Sequence, residues 1–182
     1  MEAYFDNSAT TIVTDSVKDI VVKTMTEDFG NPSAMHMVGV KAEKYIKEAQ
    51  ENIAKILKVD PKEIFFTSGG TESNNMAIIG TAMANKRKGN RIITTSVEHS
   101  SVLATMKYLE EQGFEVIYLP VDRYGVVQME ALEKEMTEDT ILVSTMYVNN
   151  EVGAIEPVGE IGQYIKKVNP SVAVSYTHLR AH

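Results

Sequence analysis

Short apolar runs alternate along the chain with longer stretches in which apolar residues recur every three or four positions. Residues 63–67 (EIFFT), Arg91–Thr95 (RIITT), Glu115–Leu119 (EVIYL) and 140–147 (TILVSTMY) are runs of the first kind, and another begins over 172–174. They are rich in β-branched and aromatic residues and have strand length. Residues 100–112 show the second pattern, with Val102, Leu103, Met106 and Leu109 at helical spacing and Gly113 placed to stop the helix. Residues 74–88, 129–136 and Val158–Val168 also read as helices. Upstream, 17–29 and 40–57 predict two more. The second carries Ala42, Tyr45, Ile46, Ala49, Ile53, Ile56 and Leu57 on one stripe, with Lys and Glu opposite. Between them Phe29, Gly30, Asn31, Pro32 and Ser33 supply turn chemistry.

Strand–helix alternation at this spacing predicts βαβ units. The expected fold is α/β, with a three-layer arrangement in which a mainly parallel central sheet has helices on both faces. No repeat, low-complexity tract or linker interrupts it. A length of 182 residues makes one domain or most of one.

Composition narrows the chemistry. There is no Cys, which excludes disulfides, thiolate metal ligands and a thiol nucleophile supplied by these residues. Lys and Arg number 18 against 25 Asp and Glu, a net charge of −7. Without a basic run, neither nucleic-acid phosphates nor anionic lipids find a binding footprint. No apolar run approaches the roughly 18 residues of a spanning helix. Residues 1–6 have neither a basic nor an apolar leader region, so the expected location is cytoplasmic.

Three polar segments fall where strands end, which is where open α/β sheets bind ligands. Thr67-Ser68-Gly69-Gly70-Thr71-Glu72-Ser73-Asn74-Asn75 joins a strand to a helix. Two glycines, free N–H groups and three hydroxyls suit a phosphate. A plain Gly turn with a Ser or Thr cap is the commoner reading of the same residues. It is not a nucleotide P-loop, because no Gly-Lys-Ser/Thr follows. At Ser96-Val97-Glu98-His99-Ser100-Ser101, His99 can serve as acid/base or stack on an aromatic ligand. Alternatively Thr95 and Glu98 form a capping box and His99 is a bystander. Asn149-Asn150-Glu151-Val152-Gly153 offers two carboxamides for a ligand ring or carboxylate, or is an Asn-rich turn closed by Gly153. His36 reads as structural. His178 and His182 have the four-residue spacing of a helical metal pair, but without the accompanying Glu the expectation is no metal site and a foreign tail.

These segments in this order resemble the cysteine desulfurases, a pyridoxal-phosphate-dependent branch of the class V aminotransferases. The likeness is carried by Tyr4-Phe5-Asp6-Asn7-Ser8-Ala9-Thr10-Thr11, Phe29-Gly30-Asn31-Pro32-Ser33 with His36, the Thr67–Asn75 segment, Glu98-His99, and Val148-Asn149-Asn150-Glu151-Val152-Gly153. The Asn-Asn-Glu-Val-Gly form resembles the nitrogen-fixation, housekeeping branch that serves iron–sulfur assembly. The resemblance implies a fold type I large domain. It implies that Gly70 and Thr71 hold the cofactor phosphate, and that His99 stacks on the pyridine ring and assists proton transfers. It implies further that Asn150 contacts the cofactor ring oxygen and the substrate carboxylate. The implied reaction takes sulfur from L-cysteine, leaving L-alanine and an enzyme persulfide for an iron–sulfur scaffold or another acceptor protein. The implied assembly is a homodimer.

Members of that family also have an Asp paired with the pyridinium nitrogen, a Lys that holds the cofactor covalently and a loop Cys. Here Val174 is followed by Ser175-Tyr176-Thr177-His178, and neither the Lys segment nor the Cys is present. The expectation is therefore an N-terminal part of such an enzyme, inactive alone. Residues 1–14 would belong to the small domain, 15–174 to a truncated cofactor-binding large domain, and 175–182 would be extraneous. The competing readings are another class V enzyme, a selenocysteine lyase or aminotransferase, and a non-catalytic binding domain on the same half-fold.

Overall fold

The computed structural model describes residues 3–7 and 9–177. They divide into two compact units, Thr10–Phe66 and a second that joins the first described residues to those from Thr67 onward.

The Thr10–Phe66 unit contains α1 (Asp15–Thr26) and α2 (Met37–Leu57), followed by a short 3-10 turn at Pro61–Glu63. Both helices start a few residues earlier than the apolar stripes predict, as boundaries often do. His36 caps α2, its Nδ1 accepting from the Gly39 N–H at 3.3 Å, so its structural reading is correct. A Cβ on Gly39 would fall on the carbonyl oxygens of Ala34 and Asn31, so the turn before α2 closes on a bare backbone. Asp28, buried after α1, accepts from the Tyr45 hydroxyl at 2.5 Å and pairs with Lys41.

The predicted strand over 63–67 does not form. Residues 64–67 pair with no strand among the described residues, and Phe65 and Phe66 are 71% and 54% exposed. An apolar, β-prone run becomes a strand only when a ladder partner satisfies its backbone.

The second unit is the α/β layer structure. In chain order it runs α3 (Gly70–Asn85), β1 (Arg91–Thr95), α4 (Ser100–Glu111), β2 (Glu115–Leu119), α5 (Met129–Glu135), β3 (Thr140–Met146), α6 (Val158–Val168) and β4 (Ala173–Thr177). The four strands are all parallel, in the order β2-β1-β3-β4. Helices cover both faces. On one, Ile78 and Ala82 of α3 and Val102, Met106 and Leu109 of α4 pack on Ile92 and Leu142. On the other, Leu132 of α5 and Ile161 and Ile165 of α6 pack on Ile93 and Val143. Adjacent strand residues thus enter opposite cores, and β3 is buried along its whole length. Burying a side chain such as Leu109 or Ile165 contributes about 1.5–3 kcal/mol. β4 continues the ladder through Ser175, opposite Ser144, to Thr177. No helix among the described residues is long and apolar enough to cross a membrane.

Candidate functional site

Parallel pairing sends every βα turn of the sheet to the carboxyl ends of the strands. β1 ends at Thr95 and leads to His99. β3 ends at Met146 and leads to Asn149 and Asn150. α3 runs back along the sheet into β1, so its N-terminus at Gly70 lies at that same edge.

Gly69 is the N-cap of α3 and provides no side-chain cap. The first helical N–H groups, at Gly70 and Thr71, are therefore open to an external acceptor. Glu72 does not close them. Its carboxylate instead accepts from the Ser68 N–H at 2.7 Å and the Ser68 hydroxyl at 2.6 Å. Those bonds, the hydroxyl's first, hold Glu72 below the usual carboxylate range. The two glycines are not demanded by the chain itself. Gly69 is fully extended, and a Cβ at 69 or 70 meets no atom within 4 Å. A side chain at either position would enter open space. The helix begins at the second glycine rather than at Asn74, because the donors that define its first turn leave no mark in an apolar pattern.

His99 is itself the N-cap of α4, which corrects the capping-box reading of Thr95 and Glu98. Its Nδ1 accepts from the Ser101 N–H at 3.2 Å and lies 2.9 Å from the Ser101 hydroxyl. A backbone N–H can only donate, so Nδ1 is the acceptor and the neutral ring carries its proton on Nε2. Asn74 Nδ2 donates to the Ser101 oxygen at 2.9 Å. Asn74, Ile78 and Ala82 are buried at four-residue intervals on α3, so the stripe that packs the helix ends in a carboxamide aimed at Ser101. A continuous chain, Asn74–Ser101–His99, thus ties the first turn of α3 to the imidazole.

Glu98 turns inward instead of capping. It is 5% exposed, and its Oε1 accepts from the Thr95 hydroxyl at 3.0 Å and the Met146 N–H at 2.7 Å. Burial pushes its carboxyl up to about 7. The Thr95 and Met146 hydrogen bonds oppose that, and the like charge of Glu156 adds to it.

The two asparagines separate. Asn149 is buried, donates to the Val97 carbonyl at 3.1 Å and accepts from the N–H groups of Glu151 and Val152. Asn150 stays partly exposed at the tip and, among the described residues, donates to Glu151 at 3.0 Å. Asn149 therefore holds the turn, and Asn150 is the carboxamide left at the edge. Gly153, at φ +72°, allows the reversal after it. The α3 start at Gly70 and Thr71, the α4 N-cap His99 and the turn residue Asn150 thus all lie at the carboxyl edge of one sheet, and hydrogen bonds fasten α3 to α4 and the β1–α4 turn to the β3 loop. Sequence reading did not distinguish Asn74, Ser101, Glu98 and Asn149 as the residues that fasten them, because their partners lie 27 to 52 residues away. The His178/His182 pair lies outside the described residues. Among the described residues no cluster of His, Asp or Glu suits a metal.

An open helix N-terminus, an imidazole and a carboxamide thus lie at the carboxyl edge of one α/β sheet, where a helix start can accept an anion. The chain belongs to the class-V aminotransferase family, whose model matches residues 3–177. It is 48% identical over 168 residues to "Cysteine desulfurase IscS" of Clostridium botulinum, covering 92% of this chain and 42% of that protein. It is 50% identical over 164 residues to the protein of the same name from Methanosarcina thermophila, covering 90% and 41%. Among solved structures, "NIFS-LIKE PROTEIN" superposes with a TM-score of 0.93 at 46% identity, covering 98% of this chain and 49% of that one. DndA from Streptomyces lividans does so with 0.82 at 38%, covering 97% and 49%. The chain thus spans about two-fifths of the length of these curated relatives.

Class V aminotransferases and cysteine desulfurases depend on pyridoxal phosphate. The residues present fit its phosphate end. The α3 donors are uncapped, Glu72 is directed to Ser68, and two glycines leave the approach clear.

Proposed function

We propose that this chain is the N-terminal part of a pyridoxal-phosphate-dependent cysteine desulfurase that takes sulfur from L-cysteine. The observation that carries the proposal is the uncapped α3 N-terminus, with glycines that its own packing does not require, linked through Asn74 and Ser101 to His99. The N–H groups of Gly70 and Thr71 bind the cofactor phosphate, where the helix dipole favours a dianion. His99, fixed at Nδ1, lays its ring on the pyridine face and holds or releases a proton at Nε2. Asn150 addresses the ring oxygen and the substrate carboxylate. The bound cofactor supplies the electron sink that makes the substrate's bonds labile. Residues 1–14 belong to the small domain of the complete fold and 15–174 to its large domain, whose last strand continues here through Ser175 to Thr177. The complete protein is a cytoplasmic homodimer that hands sulfur to an iron–sulfur scaffold or similar acceptor. The names of the relatives, their coverage and the ordered motifs support this.

The test is binding by the chain itself, followed by ³¹P resonance and cofactor absorbance. Pyridoxal phosphate should bind, pyridoxal without its phosphate should not, and Gly70→Val should remove binding while leaving the circular dichroism unchanged. Equal affinity for the two compounds would refute the phosphate site. For the whole enzyme, the protein translated from the reading frame continuing past codon 174 should release alanine from L-cysteine, and His99→Ala should slow that release far more than it weakens binding.

A further inference from the structure

The β1–β3 ladder stops before the site is reached. Its last registered pair is Thr94 with Ser144. Two residues further along β3, the Met146 N–H donates to a side chain, Glu98 Oε1, at 2.7 Å. The same oxygen takes the Thr95 hydroxyl at the end of β1. Glu98 thus extends the sheet by one rung, with a carboxyl oxygen standing in for a backbone carbonyl. It is also the residue directly before the N-cap, so one peptide bond separates this rung from His99.

A buried carboxyl is an expensive way to fill a gap between strands. Glu98 is 5% exposed, and its Oε2 has no hydrogen-bond partner among the described residues. Packing alone would be better served by an apolar side chain. An acceptor is required there because the Met146 N–H would otherwise be buried without one. The neighbouring tie, from Asn149 to the Val97 carbonyl, fastens the same turn at a second point. Two bonds from opposite sides fix the β1–α4 turn to the end of β3, and only one of them comes from the turn's own side chain.

We propose that Glu98 is the positioning residue for His99, holding the imidazole in register with the β3 loop that carries Asn150. The inference deepens the cofactor-site reading and rests on it for the purpose of that register. It does not rest on it for the register itself, which belongs to the ligand-free chain. Glu98 touches neither ligand nor reacting atoms, and acts through the turn. A glutamine at 98 keeps the acceptor at Oε1. Ala removes it, and Asp is too short by one methylene to reach Met146.

The experiment compares Glu98→Gln, Glu98→Asp and Glu98→Ala with the ¹⁵N-labelled parent chain. Without ligand, Ala and Asp should speed exchange of the Met146 amide by about tenfold or more, the equivalent of one lost hydrogen bond. They should also shift the His99 ring resonances, whereas Gln should leave both near the parent. With ligand, Ala and Asp should weaken pyridoxal phosphate by about tenfold while leaving inorganic phosphate, held at α3, within about twofold; Gln should restore the former. Asp carries the test if Ala does not fold. Unchanged Met146 and His99 signals in a folded Asp or Ala variant overturn the inference. So does an equal loss of cofactor and inorganic phosphate, which would mark general loosening. If the parent fails to bind pyridoxal phosphate, the cofactor reading falls, and the ligand-free signals still decide whether Glu98 positions His99.

Discussion

The buried Glu98 carboxyl makes a quantitative prediction about stability and pH. Its folded value is about 7, raised from an ordinary 4.5 chiefly by burial. The folded protein therefore holds this proton more tightly than the unfolded chain does. Stability from this group is fully present below about 4.5 and is lost as pH rises to 7, where both states become ionised. At 1.36 kcal/mol per unit, the loss between pH 4.5 and 8 amounts to about 3 kcal/mol. Replacing Glu98 by Gln removes the titration and keeps the Oε1 acceptor. The amide nitrogen takes the place of Oε2, which has no hydrogen-bond partner among the described residues, and whatever that burial costs does not change with pH. The variant's advantage over the parent should then grow by about 3 kcal/mol between pH 4.5 and 8, more than a hundredfold in the folding equilibrium. Some slope should persist in the variant, because Glu156 is also raised by burial. The assay is urea unfolding followed by circular dichroism at several pH values, comparing midpoints at constant m. Other carboxylates titrate in both proteins and cancel in the difference. Parallel pH profiles for parent and variant would show that Glu98 is ionised or solvated in the fold, and the reasoning would fail.

Leu109→Ala, at a fully buried position between α4 and the sheet, should cost about 2–5 kcal/mol of unfolding free energy in the same assay. Gly39→Ala should lower the helical circular dichroism signal, since its Cβ would fall on the Ala34 carbonyl, whereas Gly69→Ala should be silent there. Asp28 is held below its ordinary 3.8 by Lys41 and Tyr45, so its contribution is present above that value and is lost as pH falls further. Asp28→Asn should therefore destabilise the Thr10–Phe66 unit at neutral pH and flatten its acid transition, read by hydrogen exchange of α2 amides.

The periodicity of apolar residues determined most of the α/β unit. Arg91–Thr95, Glu115–Leu119 and Val158–Val168 fall where the pattern places them, because a side chain's face is set by its own position along a strand or helix. The glycine pair, His99 and the Asn-Asn turn stand out in the sequence as candidates, since chemistry at strand ends depends on residue type and order. The 63–67 run shows where local pattern fails. Its composition is that of a strand, and only a neighbouring strand can make it one. The same limit hid the division of labour at the site. Sequence alone does not say which of two adjacent asparagines is buried, or that Glu98 bonds across to β3 while His99 caps α4. Those assignments depend on donors and acceptors brought together from tens of residues away. The tertiary structure decides them, because each buried polar group must find whatever partner the packed sheet leaves within reach.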